Sequence, residues 1–309
     1  MSINHLRIAT RSSKLALKQS SDVRDMIAAA NPDIEISFVQ VTTKGDTDKS
    51  DFLYKGSSVG YFTSAVEETL LNNQADIAVH SLKDLPTTIT PGLTIAAIPT
   101  RQDVSDAVIS NHNIASLEDL PQGAIVGTSS LRRIAQVKHY RPDLNCQPLR
   151  GNIETRIEKV KDKQYDAIIL AKAGLNRLGL DNHVSFAFDP ADFLPAPGQG
   201  ALAIQIRSDD KELLEMLKPL DDHDARITST AERLVLSKLH GGCSIPLGVY
   251  SIIKGDNIAI TAMLSEVDAS DYIITTKHCA IDKIKSAAKV IVSELLDLGG
   301  RYILEKLRD

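Results

Sequence analysis

Short apolar segments rich in β-branched residues alternate with amphipathic helical stretches through the first two-thirds of the chain. Residues 6–10 predict a strand, and Leu15, Gln19 and Val23 follow it at the spacing of one helix face. The same order returns several times, and further strands are predicted at residues 36–43, 76–81, 124–128, 145–149 and 166–171. Repeated strand–helix units require parallel sheets covered by helices, so the sequence predicts an α/β fold.

This series occurs on both sides of a linker near residues 99–103, which predicts two α/β lobes with a cleft between them. A further strand at 201–207 is assigned to the first lobe. From about residue 218 the pattern changes to an antiparallel meander followed by helical sequence from Ile281. The sequence therefore predicts three domains, namely a lobe of residues 1–99 with 200–217, a second lobe of 100–199, and a smaller α+β domain of 218–309.

Composition excludes several classes of protein. The formal net charge is -5, whereas general nucleic-acid binders usually carry a basic excess. The chain has no apolar run of membrane-spanning length. Its three cysteines lie far apart, which indicates neither a disulfide framework nor a cysteine-based metal site. The first residues lack the apolar core of a secretory signal, so we expect a cytoplasmic protein that needs no metal.

Basic and hydroxyl side chains follow the predicted strands at the points where the strands end. In open α/β sheets, ligands bind at these carboxyl ends, where helix N-termini also favour anions. Arginine adds a planar fork that can bind a carboxylate through two parallel hydrogen bonds. The sequence therefore predicts a site for a ligand with several negative groups, in a chain that is acidic overall. The residues at the strand ends are Arg11, Ser13, Lys83, Asp84, Thr128, Ser130, Arg132, Arg133, Arg150, Arg156, Lys172 and Arg177.

Each of these residues has a simpler interpretation when taken alone. Ser13 fits a helix N-cap, and a single arginine is usually a solvated surface residue. His80, in an apolar strand, fits a hydrogen-bonded core histidine. Asp84, beside Lys83, could form a salt bridge or could stabilise a cation that develops on a substrate. Cys243 follows two glycines, and it fits either a partly buried free cysteine or an accessible thiol.

Seven segments together resemble the porphobilinogen deaminase (hydroxymethylbilane synthase) family, in the family's order and spacing. The resemblance extends from about residue 6 to residue 250, and the C-terminal part matches more loosely. The segments are RIATRSSKLAL, DIAVHSLKDLP, GTSSLRR, LRGNIETR, DAIILAKAGLNRLG, LPAPGQGAL and HGGCSIPLG.

The resemblance implies an α/β fold of two lobes like those of type II periplasmic binding proteins, with a small C-terminal α+β domain. It implies a monomeric transferase of tetrapyrrole biosynthesis that condenses four porphobilinogen molecules with loss of ammonia. The growing chain would start on a dipyrromethane cofactor joined through a thioether to Cys243. Water would finally release linear hydroxymethylbilane.

The resemblance also assigns roles to individual residues. Asp84 corresponds to the catalytic aspartate of the family. Residues implied to bind substrate are Arg11, Ser13, Phe62, Arg150 and Arg156. Residues implied to hold the cofactor or the growing chain, or to line the same cleft, are Lys83, Thr128, Ser130, Arg132, Arg133, Arg177 and Gln199. Residues 44–62 resemble a lid, but Val59 stands where the family commonly has lysine, so we expect fewer ionic lid contacts.

The sequence is also compatible with two classes of protein other than an active deaminase. A two-lobed anion receptor or sensor would explain the arginines at the strand ends equally well, but it would not explain Cys243 on a Gly-Gly loop. A catalytically decayed homologue is the second alternative. The presence of both Asp84 and Cys243 weighs against it.

Overall fold

A computed structural model describes residues 3–43, 63–239 and 245–307 of the chain. The predicted lid at 44–62, with Val59 and Phe62, lies outside the described residues. Cys243 also lies outside them.

Thirteen strands are present in the described residues. Their bounds are β1 His5–Arg11, β2 Glu35–Val41, β3 Ile77–Ser81, β4 Leu93–Ala97, β5 Asp106–Ser110, β6 Ile125–Gly127, β7 Asn145–Gln147, β8 Ala167–Ala171, β9 Phe186–Ala187, β10 Leu202–Arg207, β11 Leu247–Lys254, β12 Asn257–Ser265 and β13 Tyr272–Ala280. The α-helices are α1 Lys14–Ala30, α2 Ser64–Leu71, α3 Leu131–Tyr140, α4 Ile153–Lys161, α5 Lys172–Leu178, α6 Lys211–Leu217, α7 His223–Lys238, α8 Ile284–Leu295 and α9 Arg301–Lys306.

The first sheet has five strands in the order β2-β1-β3-β10-β4. Strands β1, β2 and β3 are parallel, whereas β10 is antiparallel to both of its neighbours. Apolar side chains such as Leu6, Ile8 and Ile204 are fully buried in it, as expected for strands with helices on both faces. The three parallel strands end at one edge, where α1 and the turn after β3 begin.

The second sheet repeats this arrangement in the order β7-β6-β8-β5-β9. Strands β6, β7 and β8 are parallel, and β5 is antiparallel to its neighbour β8. Fully buried residues of its core include Val126, Ile168 and Phe193. Helix α5 begins directly after β8, and α3 begins after the three residues that follow β6, so their first turns lie at the carboxyl edge of this sheet.

The third sheet is the predicted antiparallel meander β11-β12-β13, and α8 packs against it. The α/β fold with two lobes and a small C-terminal α+β part is confirmed. The described residues divide into two compact units, one of residues 3–43, 63–102 and 200–227, the other of 103–199 and 228–307 with the gap noted above. The boundaries of three separate domains stay a prediction.

Gly299 explains why the C-terminal helical sequence is interrupted. Its φ of +119° lies in the left-handed region, and it stands between the end of α8 at Leu295 and the start of α9 at Arg301. Among the described helices, none combines the length and apolar character needed to span a bilayer.

Candidate active site at the strand ends

In the first unit, β1 ends at Arg11 and delivers Ser13 to the start of α1. Ser13 is the N-cap of α1, and its Oγ accepts a hydrogen bond from the Ala16 N–H at 3.3 Å. The cap interpretation of Ser13 is therefore correct. A hydroxyl that accepts a bond still has its own hydrogen to donate, so the predicted contact with a substrate carboxylate is compatible with capping.

The end of β3 presents a carboxylate on an anchored turn. Residues Leu82–Asp84 form one turn of 3₁₀ helix; Leu82 is fully buried, and its N–H donates to the Ala201 carbonyl at 3.0 Å. Lys83 is half-buried and Asp84 is exposed. Buried Leu82 thus fixes the backbone while the Asp84 side chain faces solvent, where a ligand can reach it.

In the second unit, hydroxyl groups cluster between β6 and α3. Thr128 is buried, and its Oγ1 accepts from the Ser130 N–H at 3.3 Å. Ser130 is the N-cap residue of α3, but in the described part of the chain its hydroxyl caps no N–H group of that helix. The Ser130 hydroxyl, unlike that of Ser13, is therefore not engaged in holding its helix.

Arg132 and Arg133, in the first turn of α3, are buried and share one carboxylate. Each guanidinium lies 2.7 Å from Asp106, the first residue of β5. Burial alone would raise the pKa of Asp106, but the charges and hydrogen bonds of the two arginines outweigh it and hold that pKa below its usual range. Asp106 is thus a buried, ionised counter-ion.

Gln199 lies in the Pro- and Gly-rich segment of residues 194–200 and completes this buried cluster. Its Nε2 donates to Asp106 Oδ1 at 2.9 Å and to the Val104 carbonyl at 2.8 Å. The preceding residue, Gly198, donates its N–H to the Glu232 carboxylate at 2.8 Å. The segment is therefore fixed by hydrogen bonds at two successive residues.

Two further arginines follow β7. Arg150 is half-buried, and the Nε of Arg156 donates to the Gly151 carbonyl at 2.7 Å. Burial, together with the nearby charges of Arg133 and Arg150, lowers the pKa of Arg156 to about 10. The arginine still carries its charge at neutral pH. Arg133 and Arg150 thus add positive charge to the surroundings of Arg156.

The end of β8 carries Lys172 and Arg177 on α5. Lys172 forms an ion pair of 2.8 Å with Asp103, and Arg177 is half-buried. The lysine therefore ties the segment before β5 to the end of β8.

Family models decide which proteins the chain is related to. Residues 6–215 match the model described as "Porphobilinogen deaminase, dipyromethane cofactor binding domain", and residues 226–297 match "Porphobilinogen deaminase, C-terminal domain". The chain belongs to the porphobilinogen deaminase family.

Curated relatives named porphobilinogen deaminase agree over almost the whole length. The protein from Syntrophobacter fumaroxidans is 41% identical over 302 residues, covering 98% of this chain and 97% of the relative. The one from a Roseiflexus species is 42% identical over 299 residues, covering 97% and 98%. The one from Syntrophomonas wolfei is 40% identical over 306 residues, covering 99% and 100%.

Similar solved structures include two binding proteins. The methionine binding protein MetQ covers 75% of this chain and 96% of its own, with 12% identity and a TM-score of 0.44. The aliphatic sulphonate binding protein SsuA from Escherichia coli covers 77% and 71%, with 13% identity and a TM-score of 0.41. Likenesses at this level carry no argument about this chain's function.

The role of one buried polar residue of the second unit, Asp106, was not predicted from the sequence. Asp106 contacts two of the predicted cofactor-binding arginines and Gln199. The available signal was an acidic residue opening the apolar segment 106–110, which was not identified as a strand. The predicted residues that the structure brings together are Arg132, Arg133 and Gln199 around Asp106, and Arg150 and Arg156 near Arg133.

Proposed function

We propose that this chain is a transferase that condenses four porphobilinogen molecules head to tail, with loss of ammonia, and releases linear hydroxymethylbilane by hydrolysis. The observation that carries the proposal is the family match, which includes the cofactor-binding model over residues 6–215. The enzyme would serve tetrapyrrole biosynthesis.

The arginines of the second unit suit this substrate. Each pyrrole carries an acetate and a propionate, so a growing pyrrole chain gains two negative groups with every addition. Arg133 and Arg150 add positive charge to the surroundings of Arg156, and a guanidinium fork matches a carboxylate. We assign Arg150 and Arg156, with Arg11 and Ser13 of the first unit, to the carboxylates of the incoming substrate.

Asp84 is the proposed catalytic residue. When the amino group of porphobilinogen leaves as ammonia, the methylene carbon and its pyrrole ring are left with a positive charge. The exposed Asp84 carboxylate can accept a hydrogen bond from the pyrrole N–H and stabilise that charge. A new carbon–carbon bond then forms, and the attacked ring carbon loses a proton that the same carboxylate can accept.

The dipyrromethane cofactor would be joined to the chain through Cys243. When bound, it supplies the terminal pyrrole to which the first substrate is added. The donor set fits such a group, because arginine and hydroxyl side chains suit its four carboxylates and the Ser130 hydroxyl is not used in capping α3 among the described residues. The residues assigned to hold it or the growing chain are Lys83, Thr128, Ser130, Arg132, Arg133, Arg177 and Gln199.

Intact mass spectrometry tests the covalent attachment. The wild-type protein should carry an added mass equal to two linked pyrroles, and the Cys243→Ser variant should lack it. Cys279→Ser is the matched control, because Cys279 is a partly exposed free cysteine on β13, and it should keep the added mass. A wild-type protein that stays unmodified even after incubation with porphobilinogen would contradict the proposal.

We also propose that the enzyme acts as a monomer in the cytoplasm and does not bind nucleic acid. The formal net charge of -5 supports the last point. Size-exclusion chromatography with light scattering would reveal a higher oligomer, and a gel-shift assay would reveal affinity for nucleic acid.

A further inference from the structure

Asp106 has a completely buried carboxylate, and it is not among the residues to which a role in catalysis or binding was assigned above. Its Oδ1 accepts hydrogen bonds from Arg133 Nη2 at 2.7 Å and from Gln199 Nε2 at 2.9 Å. Its Oδ2 forms an ion pair with Arg132 Nη1 at 2.7 Å. Its three partners come from α3 and from the segment that precedes β10. One side chain thus connects β5 with two parts of the proposed cofactor site.

The two arginines would diverge without such a partner. Successive residues of an α-helix point about 100° apart, because 3.6 residues make one turn. Each guanidinium is instead held by two contacts, one with Asp106 and one with a carbonyl. Arg132 donates to the Leu194 carbonyl at 2.6 Å, and Arg133 donates to the Ile169 carbonyl at 2.8 Å. Asp106 therefore brings two neighbouring helix residues to one place.

The pairing reduces the charge of the arginines without cancelling it. Two guanidinium groups share one carboxylate, so one positive charge is left over. Arg156 lies near enough to be affected by Arg133. The pair therefore keeps one net positive charge, which can attract a carboxylate of the growing pyrrole chain.

Stability alone is a weak explanation for this arrangement. A buried ion pair costs much desolvation, and apolar residues of similar volume are often equally or more stable in its place. The arrangement does offer fixed orientation, because a buried guanidinium that contacts both a carboxylate and a carbonyl has little freedom left. A receptor that is ordered before its ligand arrives loses less entropy on binding.

We propose that Asp106 is a positioning residue that holds Arg132 and Arg133 in the orientation in which they receive carboxylate groups of the growing pyrrole chain. This inference rests on the proposed function. Asp106 itself need not touch the substrate, because it acts through the two arginines.

Steady-state kinetics of Asp106→Asn test the proposal. The variant should raise KM for porphobilinogen about tenfold, since small misplacements of binding groups are costly. If only net charge mattered, KM would fall, because the variant adds one positive charge to the cluster.

The matched control is Asp166→Asn. Asp166 lies directly before β8, at the opposite edge of the same sheet, and accepts from the Ile125 N–H at 2.7 Å. The control should leave KM unchanged, and an unchanged or lower KM in Asp106→Asn would overturn the proposal.

A second set of variants covers the case in which Asp106→Asn does not fold. In an Arg132→Gln/Arg133→Gln background, the carboxylate has lost the groups that it positions. Adding Asp106→Asn there also removes an uncompensated buried charge, so the triple variant should fold at least as well as the double variant. Its KM should equal that of the double variant, and a further rise in KM would show that Asp106 does not act through the arginines.

A measurement independent of activity separates this proposal from the proposed function. In nitrogen-15 NMR spectra, the Nε–H signals of Arg132 and Arg133 should be sharp and protected from exchange in the wild type. They should broaden in Asp106→Asn and stay unchanged in Asp166→Asn. If the wild type fails to convert porphobilinogen, the proposed function fails while these signals still report on Asp106. Signals that are unaltered in Asp106→Asn would overturn the positioning role whatever the activity.

Discussion

The two five-stranded sheets share one strand order but differ in the polar groups that their antiparallel strands bury. In the first sheet, Gln205 of β10 lies 3.0 Å from His80 Nε2 and donates to Glu67 at 2.8 Å. In the second sheet, the corresponding strand β5 begins with Asp106, which pairs with two arginines. Among the described residues, the first cluster contains no lysine or arginine, whereas the second contains two arginines paired with one carboxylate.

This difference shows that strand order and side chains contribute separately to the properties of each unit. The shared order places helix starts at the carboxyl edge of each sheet. The residues at those ends then decide the chemistry. After β3 the first unit exposes the carboxylate of Asp84, and after β8 the second unit has Lys172, which is paired with Asp103. The first unit thus exposes a carboxylate after β3, whereas the cation after β8 in the second unit already has a counter-ion.

Replacing the charged groups after β3 and β8 by neutral ones, one at a time, should give the largest difference between the two units, and this difference is in kcat. Asp84→Asn should lower kcat about 10³-fold, because it removes the carboxylate opposite a developing cation. Lys172→Gln should lower kcat less than about tenfold, since its ammonium group is engaged with Asp103. Steady-state kinetics measure both effects, and circular dichroism on heating verifies folding.

Asp209→Asn is the control for the first of these variants. Asp209 is another exposed carboxylate of the first unit, and its replacement should leave kcat unchanged. Equal losses in Asp84→Asn and Lys172→Gln would contradict the division of roles between the two units.

The two buried clusters should also differ in what they contribute to stability. Asp106→Ala leaves two buried guanidinium groups without their counter-ion and should cost about 3–5 kcal/mol of unfolding free energy. Gln205→Ala removes two side-chain hydrogen bonds and leaves His80 and Glu67 without this partner, at a cost of about 1–3 kcal/mol. Urea denaturation measures both, and a larger loss in Gln205→Ala would reverse the comparison.

Acid should weaken the first unit before the second. Burial lowers the pKa of His80 from 6.5 to about 4, although its bond to Gln205 partly opposes this. Between those values the unfolded chain binds a proton that the folded chain does not, so stability falls as pH drops through this window, by up to about 3 kcal/mol. Asp106 has a lowered pKa, so its stabilisation is present above its unfolded pKa of about 3.9 and persists through the same window.

Hydrogen exchange followed by mass spectrometry resolves the two sheets. After correction for intrinsic exchange rates, protection of β3 should fall between pH 7 and pH 5, and protection of β8 should change much less. His80→Gln, which keeps a donor but does not titrate, should abolish the loss in β3. Equal losses in β3 and β8 would show that His80 does not control the response.

The smallest expected contrast concerns the two helix N-caps. Ser13→Ala should cost about 1 kcal/mol of stability, because the Ser13 hydroxyl accepts from the Ala16 N–H. Ser130→Ala should cost less, since its hydroxyl makes no such bond in the described part of α3. Thermal unfolding of both variants measures the contrast, and a greater loss in Ser130→Ala would contradict it.

The sequence predicts the strand ends well because the signals there are local. The parallel strands, the 3.6-residue helix pattern and the hydroxyl residue at the start of α1 all lie within short windows of sequence. His80 is also confirmed as a hydrogen-bonded core histidine. The same local signals place Arg11, Lys83 and Asp84 at the ends of predicted strands.

The buried cluster around Asp106 could not be predicted in the same way. Its partners Arg133 and Gln199 lie 27 and 93 residues away along the chain. Only the antiparallel insertion of β5 brings them together, and no local pattern specifies that pairing. Arg132 and Arg133 have the sequence appearance of open anion receptors, but the structure buries both against a shared carboxylate.

Ammonia release during porphobilinogen consumption tests the central claim most directly. The purified protein, supplied with porphobilinogen, should release one ammonia for each molecule consumed and should form a linear tetrapyrrole. Asp84→Asn should bind porphobilinogen but release almost no ammonia. If the wild-type protein binds porphobilinogen and releases no ammonia, it is an anion-binding protein with this fold, and the account of its catalysis is wrong.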